Sequence, residues 1–332
     1  MSGFGSGKVG AGKAVGSGWT VASIPSQAGR RALITGANSG LGYQTALALA
    51  AKGAHVLLAC RDKAKGDVAL ARLRAQVPAA SAEVVLLDLA SLESICAFGA
   101  AELGLGNSID LLINNAGVMA PKHRLETKDG FELQFGINVI GHFVLTAVLL
   151  PALVRAAAAN QQRPRVVTLA SIAHKRGQLN FDDLQSKQSY KPMVAYGQSK
   201  LADLMLAFEL TRRLRAAGPP ISSVMSVAAH PGVANTNLLL AVELPPAERA
   251  VRRVVGAAIG SLLNSDAEGA LPTLFAATSP DVVDGGYYGP QGFQEMRGGN
   301  VGPAKVASQA LDITAASRLW TECARLTGIS LL

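Results

Sequence analysis

From Arg30 onward the chain alternates short, continuous apolar runs with longer stretches of helical spacing, and few folds accommodate that alternation. The runs are Ala32–Thr35, His55–Ala59, Val84–Leu87, Leu111–Ile113, Val166–Leu169 and Val224–Ala228. A strand with one wet face would alternate apolar and polar residues, so runs without alternation suit strands buried on both faces. Helices between such strands cover a parallel sheet from both sides. The expectation is an α/β fold, a doubly wound parallel sheet of about seven strands. The helix after Tyr196 carries Leu201, Leu204, Met205 and Phe208 as an apolar stripe, and Pro231 breaks the chain after the sixth run. No internal repeat or linker-like stretch interrupts residues 30–330, which read as one domain. Residues 1–29, rich in Gly, Ser, Lys and Ala, read as a flexible tail.

Composition narrows the function. Hydrophobic residues are 49% and charged residues 16%, enough for a buried core and incompatible with wholesale disorder. The longest apolar stretch, Phe143–Val154, falls short of the ~20 residues a bilayer requires, so no membrane span is expected. Three scattered cysteines make neither a disulfide framework nor a metal knuckle, and no histidine pair has ligand spacing; a reducing, cytoplasmic setting is expected and no metal. The net charge is +8, and Lys8, Lys13, Arg30, Arg31, Lys52 and Arg61 all precede the first acidic residue, Asp62. With aromatics at 5% and no basic run interleaved with them, nucleic acid is not the expected partner; a small polyanion fits better. Gly7–Ala14 nearly spells a nucleotide phosphate loop, but Ala14 replaces the hydroxyl residue that would hold magnesium, and no strand precedes it. A Gly-x-Ser-x-Gly elbow is also missing, which disfavours a hydrolase.

Thr35-Gly36-Ala37-Asn38-Ser39-Gly40-Leu41-Gly42 lies between the first strand and the helix Tyr43–Ala51. Glycines there permit a tight turn and close approach of a pyrophosphate to unpaired helix N–H groups, the device of a Rossmann-type sheet. The second strand ends at Cys60-Arg61, 19 residues beyond Gly42. A carboxylate near that point would hold a ribose 2′-hydroxyl, whereas an arginine suits a 2′-phosphate. Arg61 therefore favours NADP(H) over NAD(H), with a solvated surface arginine as the other reading. Asp62 suits the N-cap of the next helix.

Tyr196 and Lys200 fall at i and i+4, on one helix face. A tyrosine ionises near 10, so acid–base work near pH 7 asks for about 4 kcal/mol of help. A lysine and a cationic nicotinamide ring supply part of it. Alone the pair is an ordinary helix surface. Ser171 just past the fifth strand, where open parallel sheets gather ligands, and Asn138 inside a helical stretch make it less ordinary.

Thr35–Gly42, Asn114-Asn-Ala-Gly117, Asn138-Val-Ile-Gly141, Ser171, Tyr196-x-x-x-Lys200 and Pro231-Gly232 with Thr236 together resemble the short-chain dehydrogenase/reductase superfamily over about residues 28–290. Ala59-Cys-Arg-Asp62, Asn115-Ala-Gly-Val-Met119, Ser171-Ile-Ala-His174, Tyr196–Leu201, His230-Pro-Gly232 and a C-terminal helix like Asp312–Leu326 resemble its retinol dehydrogenase, WW-domain oxidoreductase and protochlorophyllide reductase branch. The resemblance implies that Tyr196 exchanges a proton with the reacting oxygen, Lys200 lowers the phenol's pKa and holds the nicotinamide ribose, Ser171 polarises the carbonyl, and Asn138 keeps a relay water. It also implies cofactor contacts from the glycine loop, Asp88 and Leu89 at the adenine, Asn115, Ala116 and Gly117 beneath the ribose, and Pro231, Gly232, Val233 and Thr236 at the carboxamide. Ser39 replaces a lysine that some NADP-preferring relatives carry, the anchoring helix of membrane-bound relatives is not seen, and neither is the insertion typical of protochlorophyllide reductases. Relatives often pair through the helices holding Asn138 and Tyr196, which admits a homodimer.

Residues 236–262 fall where the family places a substrate lid. Their apolar makeup suggests a greasy pocket wall, or equally an amphipathic helix on the core. The expected activity is NADP(H)-dependent interconversion of an alcohol and a carbonyl on a medium-sized apolar substrate. The other readings are a dinucleotide-binding regulator without turnover, and polyanion binding through the basic tail.

Overall fold

The computed structural model describes residues 18–159, 162–233 and 264–332. Its strands are β1 (Arg31–Thr35), β2 (His55–Cys60), β3 (Ala82–Leu86), β4 (Leu111–Asn114), β5 (Arg165–Leu169), β6 (Met225–Ala229), β7 (Tyr287–Pro290) and β8 (Val301–Pro303). They form one sheet in the order β3-β2-β1-β4-β5-β6-β7-β8. All pairings are parallel except β7 with β8, where Tyr288 faces Pro303 in an antiparallel edge. The sheet thus has eight strands where about seven were expected. The described helices are α1 (Gly40–Ala51), α2 (Lys63–Gln76), α3 (Leu92–Gly104), α4 (His142–Ala159), α5 (Pro192–Ala217), α6 (Asp266–Thr278) and α7 (Ile313–Thr327).

Side chains on a strand alternate faces, and here both faces are covered. Leu33, Leu57, Leu112 and Val166 pack in the core shared with α4, α5 and α7, alongside Val144, Leu204 and Trp320. Their neighbours Ile34, Leu58, Ile113 and Val167 pack with Leu49, Leu73 and Phe275 of α1, α2 and α6. Each fully buried aliphatic side chain contributes about 1.5–3 kcal/mol. That double cover is why the runs lack polar alternation.

The strand order reverses at β1, which pairs with β2 on one side and β4 on the other. The crevice outside the carboxyl ends of the strands at such a reversal is where open α/β sheets bind ligands.

Two sequence expectations are modified. Composition places residues 18–29 with the tail, yet Trp19 packs edge-on against Phe275 with centroids 5.3 Å apart, Ile24 is buried, and the Gln27 N–H donates to the Lys52 carbonyl. One aromatic ring with an apolar slot outweighs a glycine-rich composition. The apolar stretch Phe143–Val154 also belongs to a longer unit. Phe135–Ala159 is helical throughout, 25 residues with mean hydropathy 2.1 in its most apolar window, and is the one described helix long and apolar enough to cross a membrane. That window is 72% buried inside the protein, as in the core helix of an α/β sheet. The lid segment 236–262, Thr236 and residues 1–17 of the tail lie outside the described residues.

Candidate active site

The glycine loop leaves β1 at Thr35. Its hydroxyl accepts the N–H groups of Asn115 and Ala116, each at 2.9 Å, and the Asn115 amide donates to the Thr35 carbonyl at 2.7 Å. These bonds bind the ends of β1 and β4 together. Gly36 turns the chain at φ +66, a conformation that disfavours a side chain. A Cβ on Gly42 would stand 2.5 Å from Asn115 Nδ2 and 2.6 Å from the Gly36 carbonyl oxygen, so α1 starts hard against the loop.

In front of that turn lies a cleft of about 380 Å³. Its wall brings together Gly36, Asn38, Ser39, Gly40, Leu41 and Gly42 with Arg61, Asp88, Leu89, Asn115, Ala116 and Gly117. This glycine cradle at a helix N-terminus fits a dinucleotide. The Arg61 end is basic. Asp62 caps α2, accepting the Lys65 N–H at 3.1 Å, and its other oxygen lies 3.5 Å from Lys65 Nζ. Lys65 also lines the cleft, a cation that spacing from the glycine loop did not flag. Asp88 accepts the Ala90 N–H and pairs with Lys128 at 3.2 Å.

Asn138, Ser171, Tyr196, Lys200, Pro231, Gly232 and Val233 are not in the wall of that cleft; the two groups of residues meet at Gly117. A Cβ there would lie 3.3 Å from Asn138 Oδ1 and 3.9 Å from Lys200 Nζ. Asn138 sits in a π-helical turn, Phe135–Gly141, that leads into α4, an irregularity frequent at functional sites. Its amide is fully used: Oδ1 accepts the Val118 N–H at 2.8 Å, while Nδ2 donates to the Val118 carbonyl and to Ser199 Oγ. That use explains an asparagine in mid-helix.

Behind it, His142 Nδ1 lies 2.9 Å from the Asn138 carbonyl and Nε2 lies 2.9 Å from the Thr35 hydroxyl. Burial lowers the His142 pKa to about 4, against the bond to Asn138 and with help from the Lys200 charge. At neutral pH the ring is an uncharged bridge between the first strand's end and the π turn.

Pro192 opens α5 as a pre-shaped first residue, and the helix carries Tyr196 and Lys200 on its buried face. Lys200 Nζ donates to the Leu169 carbonyl at the end of β5 and to Asp203 Oδ2, both at 2.8 Å. Burial opposes the Lys200 charge, but Asp203, with Tyr196 adding to it, holds its pKa above the ordinary lysine value. Two residues past Leu169, Ser171 caps the short turn Ile172–Arg176 and accepts the Ala173 N–H at 3.2 Å. Its hydroxyl proton stays available for donation.

His174 Nδ1 lies 2.7 Å from the Ser171 carbonyl and fixes that corner, and burial lowers its pKa. His230, fully buried and held near pKa 3 by desolvation, accepts the Gly232 N–H. The Val233 N–H donates to the Met296 carbonyl, so the loop from Pro231 leaves β6 already anchored.

The family model described as short chain dehydrogenase matches residues 30–244. Polyprenol dehydrogenase of Mus musculus is 39% identical over 307 residues, covering 92% of this chain and 86% of that protein. Retinol dehydrogenase 13 of Homo sapiens is 37% identical over 311 residues, with coverages of 93% and 86%. A crystal structure of an uncharacterized protein from Mycobacterium Paratuberculosis is 38% identical, covers 95% of this chain and all of its own (100%), and superposes with a TM-score of 0.75. The chain belongs to the short-chain dehydrogenase/reductase family, oxidoreductases that bind a nicotinamide dinucleotide, and within it to the retinol dehydrogenase branch.

Proposed function

We propose that the protein is an NADP(H)-dependent oxidoreductase that interconverts an alcohol and a carbonyl on a medium-sized apolar substrate. The observation that carries this reading is the convergence at Gly117: the glycine-lined cleft ends where Lys200 Nζ and Asn138 stand, one helical turn from Tyr196. The dinucleotide supplies the hydride chemistry when bound. The protein's part is positioning and proton management.

In the proposed roles, the Tyr196 phenol exchanges a proton with the reacting oxygen, and the Ser171 hydroxyl donates to that oxygen. Lys200, its charge secured by Asp203 and Leu169, favours the phenolate. The Asn138 carbonyl, with one lone pair toward His142, uses the other to hold a water that returns the proton to solvent. Arg61 supports the preference for NADP(H), since it lines the cleft at the end of β2 where a 2′-phosphate would lie, with Lys65 beside it. The apolar dehydrogenase substrates named in the two curated relatives support a greasy substrate here. A cytoplasmic setting is part of the proposal, supported by three cysteines that are all free thiols.

The test is a panel of alcohols and carbonyls with absorbance at the reduced nicotinamide band, run on the wild type and Tyr196→Phe. Turnover that falls at least about a hundredfold in the variant, with cofactor affinity kept, is the expected result. Unchanged turnover would remove Tyr196 from the reaction.

A further inference from the structure

We propose that Asp203 is a positioning residue for this reaction: its carboxylate fixes the Lys200 ammonium and sets the pH range in which Lys200 and Tyr196 do acid–base work. The inference deepens the proposed oxidoreductase reading and rests on it.

Tyr196, Lys200 and Asp203 occupy i, i+4 and i+7 of α5, so all three fall on one face of the helix. They are 7%, 5% and 3% exposed. An ammonium has three protons to give. Lys200 gives one to the Leu169 carbonyl and one to Asp203 Oδ2, each at 2.8 Å, and the third remains for the cleft side. A neutral oxygen on Asp203, as in asparagine, could accept that same bond. Burying a carboxylate instead costs desolvation, and a buried ion pair seldom repays that as stability. The charge itself therefore needs a reason, and what it acts on is the lysine.

Among the described residues, titratable groups close to Asp203 come from three helices. From its own helix comes Lys200, on which Tyr196 also acts. From α4 comes His142, uncharged at neutral pH because burial holds it near 4. From α7 comes Cys323, whose buried thiol is pushed well up and stays protonated. Burial raises Asp203 itself to about 6, with Lys200 opposing, so it is ionised at neutral pH. A cavity of about 30 Å³ adjoins it, lined among others by Asn114, His142, Thr146 and Thr168. That is room for one water by volume, and Asn114 Oδ1, buried without a partner, is an acceptor awaiting one. The carboxylate thus adjoins a small cavity of mixed lining, in which these polar side chains sit beside apolar ones such as Val139, Phe143 and Leu206.

An anion in this position stabilises the ammonium and disfavours the phenolate. Removing it must lower the pKa of both groups together: the ammonium loses its proton more easily and the phenolate forms more easily. Asp203→Asn keeps the shape and the hydrogen-bond acceptor; Asp203→Ser is smaller and leaves space for water. In both, the acid and the alkaline limb of the pH profile of kcat/KM for alcohol oxidation are expected to move down by about one pH unit or more. The wild-type acid limb and those of the variants are expected to converge below about pH 6, where Asp203 itself takes a proton.

Protein labelled with 13C at lysine Cε reads the Lys200 titration by NMR without turnover, with Lys200→Arg identifying the resonance. A Lys200 titration displaced downward in both neutral variants supports the proposal. Packing damage alone would differ between an isostere and a truncation and would leave the limbs in place. Unmoved limbs in active variants overturn the role of Asp203 alone. A Lys200 titration displaced in the variants, beside a wild type that turns over no member of the panel, overturns the reading of the site, and the role of Asp203 in a reaction with it.

Discussion

Arg61→Ala separates cofactor recognition from everything else the cleft does. Arg61 follows β2 at the carboxyl edge of the sheet, is exposed, and makes no ion pair among the described residues. A guanidinium–phosphate contact is a charge-assisted, forked bond worth about 1.5–3 kcal/mol when desolvated. At an exposed edge, solvent screening leaves about 1–2 kcal/mol, a roughly 5- to 30-fold loss in affinity. Lys65 retains part of the attraction, since its ammonium also lines the cleft, so the double variant should lose more than Arg61→Ala. The assay is titration of NADPH and NADH by nicotinamide fluorescence, on both proteins and at two salt concentrations. Only NADPH should weaken, and the gap between wild type and variant should narrow at high salt. An equal loss for both dinucleotides would refute a 2′-phosphate contact, and no loss for either would return Arg61 to solvent.

Two further outcomes follow from the site's packing. Gly42→Ala places a methyl 2.5 Å from Asn115 Nδ2, so α1 must shift or the Asn115–Thr35 bond must break; both dinucleotides should bind at least about tenfold more weakly, with roughly 1–3 kcal/mol lost in a denaturant melt. His142 has a folded-state pKa near 4, below the ordinary 6.5, so the unfolded chain binds its proton first; its contribution is complete above about 6.5 and is lost as pH falls toward 4, roughly 3 kcal/mol at most. His142→Gln should flatten that part of the stability–pH curve, and a curve of unchanged slope would show that the ring is not held neutral.

The sheet was legible because a strand covered on both faces leaves a run of apolar residues with no polar break, and five such runs map onto β1, β2, β4, β5 and β6; the sixth maps onto β3, an edge strand only partly covered, where Leu86 is exposed. The last two strands left no such trace. β7 is Tyr-Tyr-Gly-Pro and β8 is Val-Gly-Pro, too short and too rich in breakers to signal on their own; they exist because Tyr287 and Tyr288 continue the sheet beside β6. The glycine loop and the Asp62 cap were legible for a different reason: a turn at positive φ asks for glycine at Gly36 itself, and the cap's hydrogen bond closes within three residues. His142 was not. Its partners are the carbonyl of Asn138, one turn back, and the hydroxyl of Thr35, 107 residues away, and no local pattern announces the second. Asp203 lies three residues past Lys200, within the span the sequence could show. An acid at that spacing on a helix ordinarily marks a solvated pair, and only the burial of this one separates it from that background.

Those two unforeseen residues bear on how the site holds its geometry. A lysine on a helix has many rotamers, and each one lost costs entropy. Here the ammonium is bound from two independent directions, by a strand-end carbonyl and by a carboxylate on its own helix, so its position follows the sheet and the helix together. Asn138 is placed in the same double manner: its amide is bound to the chain after β4, and its carbonyl is tied through His142 to the end of β1. The ends of β1 and β5 and the chain after β4 thereby fix the groups that meet at Gly117. A site built this way gains precision from the rigid sheet rather than from the loops around it, and loops remain free to vary with the substrate.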